Sequence, residues 1–146
     1  MTNIYAEAAA REFAIKAHGD QRYGRMPYSY HLDQVAYKLR ELEDYGWCVP
    51  EEAYVVAYLH DVLEDTLTGD DEVEEQFGSQ ITRAIVYLSK NYWPSYESYM
   101  THVKENKISH VVKIADTMCN LQASIASVEP KRIKKYSEQL ARLMEN

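Results

Sequence analysis

Apolar residues return at three- and four-residue intervals along almost the whole chain, the period of helices packed on a common core. Glycine (5) and proline (4) are scarce and punctuate that pattern. The spacing predicts a first helix from about Asn3 to His18, with Tyr5, Ala9, Phe13 and Ala17 on one side. The segment GDQRYGRMPYS, residues 19–29, reads as a loop because it holds two glycines and Pro27. A second helix is expected from near Tyr30 to about Asp44, with Val35, Leu39 and Leu42 inward. Pro50, Glu51 and Glu52 suit the start of a third, which carries AYVVAYLHDVLED. Asp70 or Asp71 is expected to cap a short helix to Phe77, Ser79 to cap ITRAIVYLSK, and Ser95 to cap YESYMTHVKEN. ISHVVKIADTMCNLQASIASV reads as a long, mostly buried helix, and Glu129-Pro130 opens a final one. The expected fold is all-α, a compact bundle of about seven helices forming one domain over residues 1–146.

Composition narrows the partners. A net charge of −7 gives a field that repels nucleic acid and anionic membrane. An anionic small substrate then needs a local positive site or a metal. The two cysteines, Cys48 and Cys119, form no CxxC pair, which argues against a thiolate zinc site and fits a reducing compartment. No apolar run approaches a membrane span, and the N-terminus lacks the pattern of a signal peptide. The expectation is a cytoplasmic protein, with a homo-oligomer left open.

Three stretches carry chemistry. In YLHDVLEDT, residues 58–66, His60, Asp61, Glu64 and Asp65 follow seven apolar residues. On a helix, His60 and Glu64 are i,i+4, as are Asp61 and Asp65, so all four crowd one end of one surface. The run reads either as a solvated acidic helix end or as a site whose carboxylates need a cation among them. Imidazole and carboxylate together suit manganese, iron or zinc. In HVVKIADTMCNL, residues 110–121, Asp116 is embedded in a hydrophobic run, where an unpaired carboxylate is costly. Lys113 and Asn120 share its face, so a structural Lys113–Asp116 pair is the plainer alternative. His31 follows the loop at the start of a helix, where a histidine can equally be a surface or capping residue.

Taken together, the order H…HD…D resembles the HD-domain superfamily of metal-dependent phosphohydrolases. RYGRMPYSYHLDQVA, LHDVLEDT and VVKIADTMCNL resemble three successive motifs of its (p)ppGpp hydrolase branch, the RelA/SpoT-type 3′-pyrophosphohydrolases. The resemblance runs from about Ala9 to Leu143. HD alone is a weak dipeptide, but HDxxEDT with PYxxHL upstream and KxADxxxNL downstream is a specific set. The length is similar to that of the small stand-alone hydrolases of the branch.

The resemblance implies roles. His31, His60, Asp61 and Asp116 would hold one Mn²⁺, and Glu64 and Asp65 would orient and activate the attacking water. Asn120 would lie near the sugar and phosphate, and Arg22 against the guanine base. Arg132 and Tyr136 match an Arg-xxx-Tyr pair near the ligand, although KRIKKY also reads as a basic face balancing the acids. Tyr23, Arg25, Leu32 and Thr117 depart from the family's usual lysine, glycine, proline and lysine or arginine, all on the expected substrate side. Tyr96, Tyr99 and Cys119 read as core. The implied activity is Mn²⁺-dependent removal of the 3′-diphosphate of (p)ppGpp. The alternatives are an HD phosphohydrolase for another phosphorylated nucleotide (a 2′-phosphorylated dinucleotide or a nucleoside monophosphate) and a non-catalytic nucleotide-binding or docking module.

Overall fold

In a computed structural model, which describes Ile4–Asn146, nine α-helical segments, a two-stranded hairpin and one 3-10 turn account for the regular structure of the described residues. The helices are α1 (Ile4–His18), α2 (Tyr28–Asp44), α3 (Ala53–Leu59), α4 (Val62–Asp65) and α5 (Asp70–Phe77), then α6 (Ser79–Tyr87), α7 (Tyr96–Glu105), α8 (Lys107–Ala126) and α9 (Pro130–Met144). No helix among the described residues is long and apolar enough to cross a membrane. The helix start expected at Asn3 lies outside the described residues.

The long helix α8 is the axis of the fold, and α2, α3, α6, α7 and α9 all pack against it. Its sequence explains this. Ile108, Val111, Val112, Ile114 and Ala115 are buried on more than one face, so the helix must be surrounded. Asn106 starts it firmly, its side-chain oxygen accepting the N–H groups of Ile108 and Ser109 at 3.0 Å. Ser109 donates to the Ala84 carbonyl at 2.8 Å and ties α8 to α6. On α2, Leu32, Val35, Ala36, Leu39 and Leu42 follow helical spacing and are all buried.

Five local expectations change, one of them at α5, where Gly69 holds the N-cap position and Asp70 and Asp71 fall in the first turn. Helix α1 buries Ala10, Ala14 and His18, a stripe rotated from the expected one, and Tyr5 is exposed. Small alanines let α1 lie close on α3, whereas a tyrosine there would hold it off. Residues 19–29 are not all loop: Arg22–Tyr23 pairs antiparallel with Met26–Pro27 across a turn where Gly24 takes φ 59°, and helix α2 already begins at Tyr28. Ser79 lies inside α6 and caps nothing; Gly78, at φ 88°, makes the corner from α5 to α6. Ser95 does cap α7, accepting the Ser98 N–H at 3.1 Å. The expected third helix breaks at His60–Asp61, with Asp61 at φ −106° and ψ −1°, so one predicted helix becomes α3 and α4. Thr66 ends α4 by donating to the Val62 carbonyl at 2.5 Å.

Candidate metal centre

The break between α3 and α4 places the chemistry. Helix α3 is buried along Val55, Val56, Ala57, Tyr58 and Leu59, so the chain delivers His60 into the interior before it turns. His60 Nδ1–H donates to the Ala57 carbonyl at 2.6 Å. That bond fixes the ring and aims Nε2 at two carboxylates, Asp61 Oδ2 at 3.1 Å and Asp116 Oδ1 at 3.4 Å. From α2, His31 Nε2 meets Asp116 Oδ1 at 2.8 Å. His31, His60 and Asp116 are buried, and one ligand atom from each lies within 4.8 Å of the others, close enough to share one ion. Asp61 joins through its contact with His60. Three helices and one corner thus bring together all four residues singled out in the sequence.

The electrostatics show what this arrangement needs. Removing one partner from a buried ion pair costs about 3–5 kcal/mol, more than the roughly 1.5–3 kcal/mol gained by burying a leucine. Asp116 is therefore tolerable only because it is surrounded. Lys113 Nζ lies 3.3 Å from its Oδ2, and Asn120 Nδ2 donates to its Oδ1 at 3.2 Å. Burial opposes the charge on Asp116, but Lys113 and the histidines hold its pKa well below the usual carboxylate range. Burial likewise works against Asp61, and His60 outweighs it, holding the carboxyl at about 2. Burial would lower His60, but Asp61 and Asp116 pull it well above the usual imidazole value. His60 Nε2 is buried and makes no hydrogen bond among the described residues, although two carboxylates face it. An unpaired nitrogen between carboxylates fits a cation, and the nitrogen–oxygen donor set suits a divalent ion.

Above this floor opens a cleft of about 320 Å³. Glu64 and Asp65 stand at its wall, on α4. Glu64 Oε1 accepts the Lys90 backbone N–H at 2.9 Å. Loss of water at the wall and the charge of Asp61 raise the Glu64 pKa, and the Lys90 bond only partly opposes them. Asp65 Oδ2 accepts from Gln21 Nε2 at 3.1 Å, and Gln21 Oε1 is held by His18 Nδ1 at 2.8 Å.

Asn120, Arg132 and Tyr136 also line the cleft. Arg22 does not. Its guanidinium is exposed and donates to the Arg25 carbonyl at 3.3 Å, because successive strand residues face opposite ways and Tyr23 takes the inner one. Tyr23 was noticed in the sequence only as a departure. Its ring stacks on His31 at 4.4 Å and 13°, and its hydroxyl donates to Asn120 Oδ1 at 2.7 Å. Tyr23, His31, Asp116 and Asn120 thereby close a ring of contacts. Tyr28, the tyrosine of PYxxHL, was given no role, yet its hydroxyl donates to Asp61 Oδ2. Tyr96 and Tyr99 are cleft wall as well as packing, which corrects their reading as core alone. Leu32 and Thr117 do not face the substrate side. Leu32 is fully buried in the core, and Thr117 is buried and donates to Gln139 Oε1 at 2.8 Å, joining α8 to α9.

Residues 10–91 match the family model described as HD domain. The chain belongs to the HD-domain family. The matched span holds His31, the His60–Asp61 pair, Glu64 and Asp65. The chain is 31% identical over 134 residues to a guanosine-3′,5′-bis(diphosphate) 3′-pyrophosphohydrolase of Aquifex aeolicus, covering 86% of this chain and 18% of that protein. It is 34% identical over 79 residues to a GTP pyrophosphokinase of Myxococcus xanthus, covering 53% of this chain and 10% of that protein. It therefore spans less than a fifth of either relative. A solved structure from work on a metazoan ortholog of SpoT that hydrolyses ppGpp shares the fold, with a TM-score of 0.77 at 19% identity over 99% of this chain and 88% of that one.

Proposed function

We propose that this HD domain hydrolyses the 3′-diphosphate of (p)ppGpp with Mn²⁺, releasing pyrophosphate and GDP or GTP. The observation that carries the reading is the convergence of His31, His60, Asp61 and Asp116 under a cleft walled by Glu64 and Asp65 and rimmed by cations of α9. The Aquifex aeolicus relative, whose name carries this activity, and the shared HD fold support it.

The four floor residues would hold the ion. When bound, a divalent cation acidifies a water and offsets charge developing on phosphoryl oxygens. Glu64 keeps Oε1 on the Lys90 N–H and offers Oε2 to the proton of the attacking water. Asp65, fixed by Gln21, orients that water. The water oxygen bonds to the phosphorus that carries the 3′ oxygen. The P–O3′ bond breaks, the 3′ oxygen takes up a proton, and the diphosphate departs. Lys113 keeps Asp116 ionised, while Asn120, Arg132 and Tyr136 face the nucleotide.

The test is to incubate the protein with ppGpp and Mn²⁺ and identify the products. Pyrophosphate release is expected. A second reading, another phosphorylated nucleotide as substrate, draws on Tyr23, which puts a neutral phenol bonded to Asn120 at the cleft where the family usually has a lysine. Orthophosphate among the products would select it.

A further inference from the structure

Beside the cleft, α9 carries a second depression of about 470 Å³ that nothing above explains. Lys131, Lys134, Lys135, Glu138 and Arg142 line it, a stripe at helical spacing along one face. Tyr96, Lys135 and Gln139 line both this groove and the cleft, so the two meet at a shared wall. The wall is firmly held: Gln139 accepts from Thr117 at 2.8 Å and donates to the Tyr96 hydroxyl at 3.3 Å.

Four of the five stripe residues are cations in a chain of net charge −7. Arg142 is engaged by Glu97, with one bond at 2.7 Å, and Lys134 reaches Glu138 only at 3.9 Å. Lys131 and Lys135 meet no carboxylate at ion-pair distance among the described residues. Like charges four residues apart on a helix cost a few tenths of a kcal/mol, and acidic partners are plentiful elsewhere in this sequence. Lys131 and Lys135, one turn apart and free of carboxylate partners among the described residues, with Lys135 resting 5.1 Å over the Tyr136 ring, match a chain of phosphates, each able to accept charge-assisted hydrogen bonds.

The cleft adds a size argument. Its volume of about 320 Å³ lies at the small end of the roughly 300–1,000 Å³ typical of ligand pockets. A nucleotide that presents one phosphorylated end to the floor has little room there for a second phosphate chain. The groove adjoins the cleft across the shared Tyr96–Gln139 wall. We propose that the α9 groove is an oligophosphate subsite, which takes the 5′ phosphate chain of the nucleotide reacting in the cleft. The assignment to the substrate rests on the nucleotide reading above; the affinity of the groove for oligophosphate does not.

Inorganic tripolyphosphate is the probe, titrated calorimetrically into metal-free protein at low salt. Binding is expected, and Lys131→Ala with Lys134→Ala should weaken it about tenfold or more. Both side chains are exposed on a helix and alanine favours the helix, so the variant retains its fold. Equal affinity in the variant and the native chain would overturn the subsite. In turnover assays, the double variant should raise KM more for the pentaphosphate than for the tetraphosphate, with tripolyphosphate competitive. Non-competitive tripolyphosphate and unchanged KM values would assign the groove to a separate anion and overturn the substrate-tail assignment. Absence of pyrophosphate release by the native protein rejects the proposed activity, and the binding titration still decides the groove.

Discussion

The floor of the cleft and its rim hold their polar residues in opposite ways. On the floor, His31, His60 and Asp116 are buried, and each is fixed by at least one contact to another element or to the backbone. On the rim, Arg132 is about half exposed, reaching Glu129 at 3.8 Å, and Arg22 turns away altogether. The difference follows from solvent. A charge in the interior must be surrounded by partners, and so its geometry is set before any ligand arrives. A charge in water needs no partner and leaves its contacts to be made by the ligand. The floor should therefore fail steeply when one residue is changed, and the rim gradually.

The largest effect is expected at Asp116. Asp116→Ala leaves the half-buried Lys113 beside an empty space and takes the shared partner from both histidines. Thermal unfolding should report a loss of about 3–5 kcal/mol, and elemental analysis the loss of bound metal. A variant that unfolds like the native chain and keeps its metal would place Asp116 with the rim. Glu64→Gln should come next, lowering kcat by about 10²–10⁴-fold while metal content stays unchanged. Because the Glu64 pKa is raised, its carboxyl remains protonated to higher pH than an ordinary glutamate. The acid limb of kcat/KM should accordingly lie above about pH 4.3 and disappear in the variant. An acid limb that survives Glu64→Gln would assign it to another group.

A third effect concerns protons. His60 is held well above its ordinary pKa, so binding Mn²⁺ must displace its proton. Manganese affinity should rise by close to tenfold per pH unit until His60 is neutral, then level off. In the metal-free protein the sign is opposite: the stabilisation that His60 draws from Asp61 and Asp116 is complete below about pH 6.5 and is lost as pH rises through its elevated value. A pH-independent manganese affinity would remove His60 from the ligand set. The smallest effects belong to the edge of the cleft. Tyr23→Phe keeps the ring on His31 and deletes the bond to Asn120, a loss of about 0.5–1.5 kcal/mol that should appear as a several-fold rise in KM with metal affinity unchanged. Weaker metal binding instead would make Tyr23 part of the floor.

Legibility in the sequence followed the same division. His60, Asp61 and Asp116 stood out because polar residues that follow or interrupt apolar runs demand explanation, His31 joined them only through the resemblance, and the structure gathers all four. Tyr23, Tyr28 and Gln21 did not, because tyrosine and glutamine are at home on any surface and only their partners give them a role. Their partners, Asn120, Asp61 and Asp65, lie 97, 33 and 44 residues away. Arg22 was assigned to the base by resemblance alone, and the two-residue strand turned it outward.

Periodicity determined the all-α class and the helix order, since helical period is a property of local sequence, while the residues of the floor were reached through the resemblance of the three motifs to the HD family. The break at His60–Asp61, the inward face of the hairpin and the meeting of the cleft with the α9 groove were decided only by tertiary packing. Each depends on which distant segment fills the space beside it, and no local pattern carries that information.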